Sequence, residues 1–191
     1  MKPTKITTTA IAAILATIAL TGCQSAASTT TAGSAPTGQT TTTSGPVLPV
    51  NTNPITNTAT APTLEITYAA LEDNVDPATN KAIKDRLEVT LKNTGTTALT
   101  GFEIYYEMTD VTTGATEAYY STLDGLSVAP GAESTIYFDN ETGPGHYPEN
   151  TFSLYRSSAN EVDMTIQVSA PGSKIATATA KKGSATGEKA D

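Results

Sequence analysis

The stretch Leu87-Glu88-Val89-Thr90-Leu91-Lys92-Asn93 decides the fold, because its apolar and polar side chains alternate strictly. A period of two places every second side chain on one face of a β-strand. The same alternation recurs at residues 64–68, 102–108, 135–138 and 162–168. Weaker strands are predicted at residues 117–122, 151–156 and 174–180. The pattern therefore predicts short strands that bury one face and leave the other in water.

Turn-forming residues separate these stretches. Glycine, proline and asparagine supply the backbone conformations that tight turns require. The turns are Asn93-Thr94-Gly95, Thr113-Gly114, Pro130-Gly131, Gly143-Pro144-Gly145 and Pro171-Gly172. Residues 81–86 would form one helical turn at most, so no crossover helices are available to connect parallel strands. The sequence predicts an all-β fold over residues 63–180, a single antiparallel β-sandwich of seven to eight strands.

Two segments resemble parts of bacterial immunoglobulin-like surface domains. Residues 87–95, followed by Leu99, Phe102 and Ile104, are similar to the opening strand, turn and strand of those domains. Residues 126–138, with Pro130-Gly131 at their centre, are similar to a later segment of the same group. The resemblance implies an immunoglobulin-like sandwich and carries no activity.

The N-terminus has the three parts of an export signal. Lys2 and Lys5 precede an apolar run over residues 10–20, which ends in Leu20-Thr21-Gly22-Cys23. The run is shorter than the roughly 20 residues that a membrane-spanning helix needs. The final four residues resemble the lipobox of bacterial lipoproteins. That resemblance implies a signal peptide of residues 1–22, cleavage before Cys23, and acyl chains such as palmitate on Cys23. We therefore expect an extracytoplasmic protein that is lipid-anchored to a bacterial membrane.

The two ends of the expected mature chain are poor in large apolar side chains. Threonine, serine, alanine and proline dominate residues 24–62, and no periodic apolar face offsets the entropy of ordering them. We predict that residues 23–62 are a lipidated N-terminus and disordered linker, and that residues 181–191 are a disordered tail. Cys23 is the only cysteine, so packing alone must hold the domain together.

Acidic residues dominate the predicted domain. The whole chain has a formal net charge of -8, and residues 64–170 contain 17 acidic and 5 basic residues. Such a surface repels phosphate backbones, so we expect no nucleic-acid partner. No nucleophile with a matching base and no phosphate-binding glycine loop is recognisable in the sequence. We expect neither enzyme activity nor a cofactor.

Tyrosines form one candidate ligand surface. Tyr105 and Tyr119 are predicted to lie cross-strand on the wet face, and Tyr137 extends the row. Residues 87–109 are also similar to the start of family 3 carbohydrate-binding modules, which bind glucan through a flat aromatic row. The tyrosines would then stack on sugar rings, or else cover the strands as cross-strand pairs commonly do.

Two loops carry the other candidate sites. The loop Gly143-Pro144-Gly145-His146-Tyr147 has a restricted backbone, and it either presents His146 and Tyr147 to a partner or forms a structural corner. Between the first two predicted strands, Asp73, Asp76 and Asp85 are weak candidates for oxygen ligands of Ca²⁺. The alternative is a solvated polar loop without a metal.

These observations predict a membrane-anchored, non-enzymatic surface lipoprotein that serves binding or adhesion, or acts as an accessory module of the cell envelope. A carbohydrate-binding module and a subunit of an envelope complex are the alternatives. The expected partners are the membrane, through the lipid anchor, and an envelope protein or a glycan.

Overall fold

The computed structural model describes residues 47–76, 78–79 and 81–184, and nearly all of its regular structure is β-strand. One short helix, α1, covers Leu154–Ser157. Ten strands are described: β1 Leu64–Asp76, β2 Lys81–Asn93, β3 Leu99–Thr100, β4 Glu103–Asp110, β5 Thr116–Thr122, β6 Ser127–Val128, β7 Glu133–Phe138, β8 His146–Tyr147, β9 Val162–Ser169 and β10 Ala176–Lys182. Seven of them are at least six residues long.

The strands form two four-stranded sheets. The first has the order β1-β2-β7-β8 and the second β10-β9-β4-β5, while β3 pairs with β6 alone. All neighbours are antiparallel except β7 and β8, which run parallel. The predicted all-β fold of antiparallel sheets in a sandwich-like arrangement is therefore confirmed, with seven long strands, three short ones and one parallel pair.

The apolar face of each long strand forms the core. Val89 and Ile136 of the first sheet and Ile104 and Ile166 of the second are completely buried. Burying each such side chain contributes about 1.5–3 kcal/mol. The alternation in the sequence thus has its expected physical cause, and the polar side chains between these positions lie on the two outer faces.

The two segments that resemble immunoglobulin-like domains meet at Asn93. Its buried side chain donates hydrogen bonds to the carbonyl oxygens of Thr97 and Val128 and accepts one from the amide of Gly95. The amide of Gly131 donates to the Asn93 carbonyl at 2.8 Å. Asn93 therefore joins the turn after β2 to the turn before β7.

Two local predictions were wrong. Residues 151–156 do not form a strand, because Leu154–Ser157 is helical and begins after Ser153. Residues 81–86 do not form a helical turn, because they belong to β2 and pair with residues 72–76 of β1. The apparent loop after the first predicted strand is thus the end of a long hairpin.

Residues 47–63, named here the N-terminal strap, cross the outer face of the second sheet. The Val50 amide donates to the Ala118 carbonyl of edge strand β5 at 2.8 Å. Further along the strap, the Asn53 amide group donates to Gln167 of β9 at 2.9 Å. The strap therefore runs from one edge of the sheet across to β9.

The strap reaches the end of β9 at Asn57. The Asn57 side-chain amide donates to the Ser169 hydroxyl and to the carbonyls of Ala170 and Ser173. From residue 53 to residue 60, half-buried and exposed residues alternate. The prediction of a disordered linker through residue 62 is thus wrong for residues 47–62, which are held by backbone and asparagine hydrogen bonds and by the packing of Val47 against the core. The predicted domain end also moves by two residues, since β10 continues to Lys182.

Candidate functional site

The predicted tyrosine row does not form. Tyr105 pairs with Tyr120, and Tyr119 pairs with Tyr106. Tyr119 therefore points into the core, where it is 1% exposed and its ring stacks on Tyr106 with centroids 5.5 Å apart. The prediction that Tyr105 and Tyr119 share the wet face is wrong, because a shift of one residue in register turns every side chain to the opposite face.

Tyr105 does lie on the outer face of the second sheet, but it is buried there. Together with Pro49 and Val50 of the strap, it lines a shallow depression beside β5. Its hydroxyl donates to Glu107 at 3.2 Å, and burial raises the pKa of Tyr105. Its ring is thus largely withdrawn from ligands in solution.

The remaining predicted residues come together on the first sheet. Tyr137 of β7 and His146 of β8 are register partners, and their rings stack with centroids 5.3 Å apart. Arg86 of β2, on the other side of β7, places its guanidinium carbon 4.5 Å from the centre of the Tyr137 ring. A guanidinium at this distance gains a cation–π attraction. The stacked surface of Arg86, Tyr137 and His146 is half-buried and lies on the outer face of the sandwich.

Acidic side chains hold Arg86 in this position. The Arg86 Nε donates to Glu72 at 2.6 Å, and Glu88 lies 3.6 Å from its guanidinium. Burial, followed by the charge of Glu72, raises the pKa of Glu88. Because both carboxylates contact Arg86, its guanidinium is directed along the sheet toward Tyr137.

The buried carboxylate of Asp139 holds the His146 imidazole in place. Its Nδ1 lies 2.9 Å and 3.1 Å from the two oxygens of Asp139, whose side chain is 4% exposed. The Glu141 amide donates to the same carboxylate at 3.0 Å. One ligand atom from each of Asp139, Glu141 and His146 falls within 4.8 Å of the others. All three lie within eight residues of the sequence, a spacing that could have indicated this cluster.

The chain turns sharply between these residues. Asn140 has a φ of 58°, which is uncommon for a residue with a side chain, and its amide oxygen accepts a hydrogen bond from the Glu149 amide. Gly145 has a φ of 84°, and a Cβ there would lie 3.1 Å from the Thr135 carbonyl oxygen. The restricted backbone predicted for the glycine-proline loop thus has a cause, which is its close approach to β7.

A cleft of about 400 Å³ adjoins His146. It lies between the loop before β6, strand β7 and the glycine-proline loop. Tyr147 lines it from below but is buried, with its ring centroid 5.8 Å from that of Phe138. Tyr147 is therefore mainly a core residue, and His146 is the more accessible of the two. Most of the lining is polar or glycine: Asp124, Gly125, Leu126, Ser127, Ser134, Thr135, Gly143, Pro144, Gly145, His146 and Tyr147.

Two other buried acidic groups have structural partners outside this region. Glu149 accepts hydrogen bonds from Arg156, and less than a tenth of either side chain is exposed. Asp110 accepts hydrogen bonds from Ser158 at 2.6 Å and Asn160 at 2.9 Å. These hydrogen bonds hold the pKa of Asp110 far below its ordinary value, and the bond from Ser158 has the largest effect. Both groups fasten the segment around α1 to the sandwich.

The remaining predicted site residues are less fully described. The backbones of Asp73, Asp76 and Asp85 lie in the β1–β2 hairpin, where Asp76 pairs with Lys81, but their side chains lie outside the described structure. The Ca²⁺ hypothesis thus stays a prediction. Cys23 and the rest of the lipobox lie outside the described residues as well. In the part of the chain that is described, no helix has the length and apolar character needed to cross a membrane.

Comparison with solved structures gives distant similarities, among them one to a DNA glycosylase and one to a β-glucosidase. No protein-family model matches the sequence, and no curated protein is similar to it. A DNA glycosylase, AlkC of Pseudomonas fluorescens bound to DNA with an abasic-site analogue, matches 63% of the chain at 18% identity and a TM-score of 0.34. A β-glucosidase of saponin metabolism from intestinal bacteria matches 63% at 14% identity and a TM-score of 0.36. The chain spans only 30% and 16% of those two proteins.

Proposed function

We propose that this protein is a lipid-anchored, extracytoplasmic binding module that takes a polar ligand or partner group in the cleft beside His146. The observation that carries the proposal is an open cleft of mixed polar and apolar lining, which adjoins the stacked surface of Arg86, Tyr137 and His146 through His146. The lipobox at Leu20–Cys23 supports the anchor. The proposal involves binding alone and no chemical step.

The rigidity of the cleft supports a binding role. The Tyr137 amide donates to the Gly145 carbonyl at 2.8 Å, and Tyr147 packs into the core beside it. His146 is held by Asp139 and by the Tyr137 ring. A site whose side chains are already fixed loses little conformational entropy when a ligand binds.

Several groups in the cleft can form hydrogen bonds with a ligand. Ser127, Ser134 and Thr135 offer hydroxyl groups, and Asp124 adds a carboxylate. Acidic residues dominate the whole domain, so cationic and neutral hydrogen-bonding groups fit better than anions. A basic or hydroxyl-rich group of an envelope protein or glycan has these properties.

The carbohydrate-binding alternative lacks its expected platform. Tyr119 is in the core, Tyr105 is buried under the strap, and the Tyr137 ring contacts both Arg86 and His146. A flat row for crystalline glucan is therefore not built from these three tyrosines. Binding of a short saccharide inside the cleft remains one form of the proposed function.

Photocrosslinking in intact cells tests the proposal. A photoreactive amino acid replaces Ser127, which is exposed and lines the cleft, and in a matched control it replaces exposed Thr165 on the second sheet. We expect a discrete product from position 127 that disappears with His146→Ala, and none from position 165. Equal labelling from both positions, or insensitivity to His146→Ala, would refute a role for the cleft.

A further inference from the structure

We propose that Asp139, Glu141 and His146 form a binding site for one divalent transition-metal ion such as Zn²⁺. His146 would supply Nδ1, and each carboxylate would supply one oxygen. Ligands of a tetrahedral Zn²⁺, bonded at about 2.0–2.2 Å, stand roughly 3.4 Å apart. The distances of 2.9 Å and 3.1 Å between Nδ1 and the Asp139 oxygens are close to this separation. The Glu141 oxygen lies within 4.8 Å of the other two ligand atoms, and its exposed side chain would turn toward them when an ion binds.

The charge of the cluster favours a cation. The Asp139 carboxylate is nearly buried. Among the described residues, His146 is the basic side chain that contacts it. Removing a carboxylate from water is costly unless it is paired, and a bound ion would place a permanent positive charge beside Asp139.

The ligand set selects among metal ions. Ca²⁺ and Mg²⁺ take oxygen ligands, whereas an imidazole nitrogen with carboxylates suits Zn²⁺ and its first-row neighbours. Because His146 also lines the cleft, water or a ligand can occupy the remaining coordination position. Three protein ligands and one open position are typical of accessible zinc sites. The ion would bind whether or not the cleft takes a further ligand.

The cluster is assembled by the fold and not by a flexible acidic loop. Asp139 directly follows β7 and His146 begins β8, and these two strands are hydrogen-bonded neighbours. Stacking on Tyr137 sets the plane of the imidazole, and the Glu141 amide orients the Asp139 carboxylate. Such supporting contacts orient metal ligands and strengthen binding.

Calorimetry and NMR on the mature full-length chain, purified in detergent without a histidine tag, test the site. The chain has one histidine, so a single set of imidazole ¹⁵N signals reports on His146. We expect one Zn²⁺ per chain and a large shift of the Nδ1 signal on binding. Asp139→Asn, Glu141→Gln and His146→Ala should each weaken Zn²⁺ binding at least about tenfold, since ligand groups contribute no less than their supporting contacts.

The control variant is Glu133→Gln, which removes the same charge from an exposed position on β7. It should bind Zn²⁺ as the parent protein does. Because the Glu141 side chain is exposed, Glu141→Gln keeps the test valid even if Asp139→Asn unfolds. A concentration of about 1 mM is comparable with the dissociation constants of the weakest specific divalent-cation sites. The absence of an Nδ1 shift at that Zn²⁺ concentration would overturn the proposal. Equal Zn²⁺ binding by Glu133→Gln and Glu141→Gln, or tighter binding of Ca²⁺ than Zn²⁺, would also overturn it.

Discussion

Replacing Asn57 with alanine measures how firmly the N-terminal strap is attached. The Asn57 Nδ2 lies 3.0 Å from the Ser169 hydroxyl, 3.1 Å from the Ala170 carbonyl and 2.8 Å from the Ser173 carbonyl. Its Oδ1 accepts a bond from the Ala59 amide at 2.8 Å. An amide group has two N–H hydrogens, so about two of the three donor contacts act at once. The substitution therefore removes about three hydrogen bonds.

The expected loss follows from these bonds. Each contributes about 0.5–1.5 kcal/mol net, and carbonyls left without a partner in a half-buried position add to the cost. We expect Asn57→Ala to lower the free energy of unfolding by about 2–4 kcal/mol. For a folded region of this size, the melting temperature would fall by roughly 5–12 °C.

Urea unfolding followed by circular dichroism measures this loss, since the chain has no tryptophan to serve as a fluorescent probe. Thr58→Ala is the matched control, because Thr58 is exposed and adjacent in the strap. We expect that variant to stay within about 0.5 kcal/mol of the parent. If Asn57→Ala is as stable as Thr58→Ala, the Asn57 hydrogen bonds do not stabilise the domain, and the reasoning is refuted.

The buried ion pair, a hydrogen-bonded carboxylate and the anchor give three further predictions. Arg156→Met removes the guanidinium that pairs with the buried Glu149 carboxylate, and it should lower the free energy of unfolding in urea by about 3–5 kcal/mol. The control Lys92→Met breaks the half-exposed pair with Glu133 and should lower it by less than about 1 kcal/mol. Because hydrogen bonds lower the pKa of Asp110, its contribution to stability is present above its ordinary pKa of 3.8 and is lost as the pH falls below that value. The melting temperature of Asp110→Asn should therefore depend less on pH between about pH 5 and 2 than that of the parent protein. Cys23→Ser should shift the protein from the membrane fraction to the soluble fraction, and mass spectrometry of the parent N-terminus should show acyl chains on Cys23.

Alternation and turn chemistry were sufficient to predict most of the sandwich. The pattern of Leu87–Leu91 and Phe102–Met108 predicts strands because every second side chain is apolar and is buried in the core. The prediction failed at residues 151–156, where the mixed pattern fits a strand and a helical turn equally well. There the amide of Leu154 is held by Glu117, a contact 37 residues away that no local pattern reveals.

The candidate surface was predictable only in part, because it depends on strand register. Adjacent Tyr119 and Tyr120 allow two registers against β4 that look alike in sequence. Core packing decides between them, since Tyr119 stacks on Tyr106 while the Tyr120 hydroxyl donates to Glu103 at 2.5 Å. Tyr137 and His146 came together for a different reason, which is that the short strand β8 returns parallel to β7.

The strap shows why composition alone was misleading for the linker. Its half-buried positions at residues 53, 55, 57 and 59 alternate with exposed proline and threonine, which is the same period of two that revealed the core strands. This alternation is hard to recognise in the sequence because the inward residues are mostly asparagine and alanine, which bury little apolar area. The asparagines instead form hydrogen bonds with polar groups of the second sheet. Hydrogen bonds add to the limited apolar burial of Val47 and Ile55 in this segment, so scales based on apolar content alone miss it.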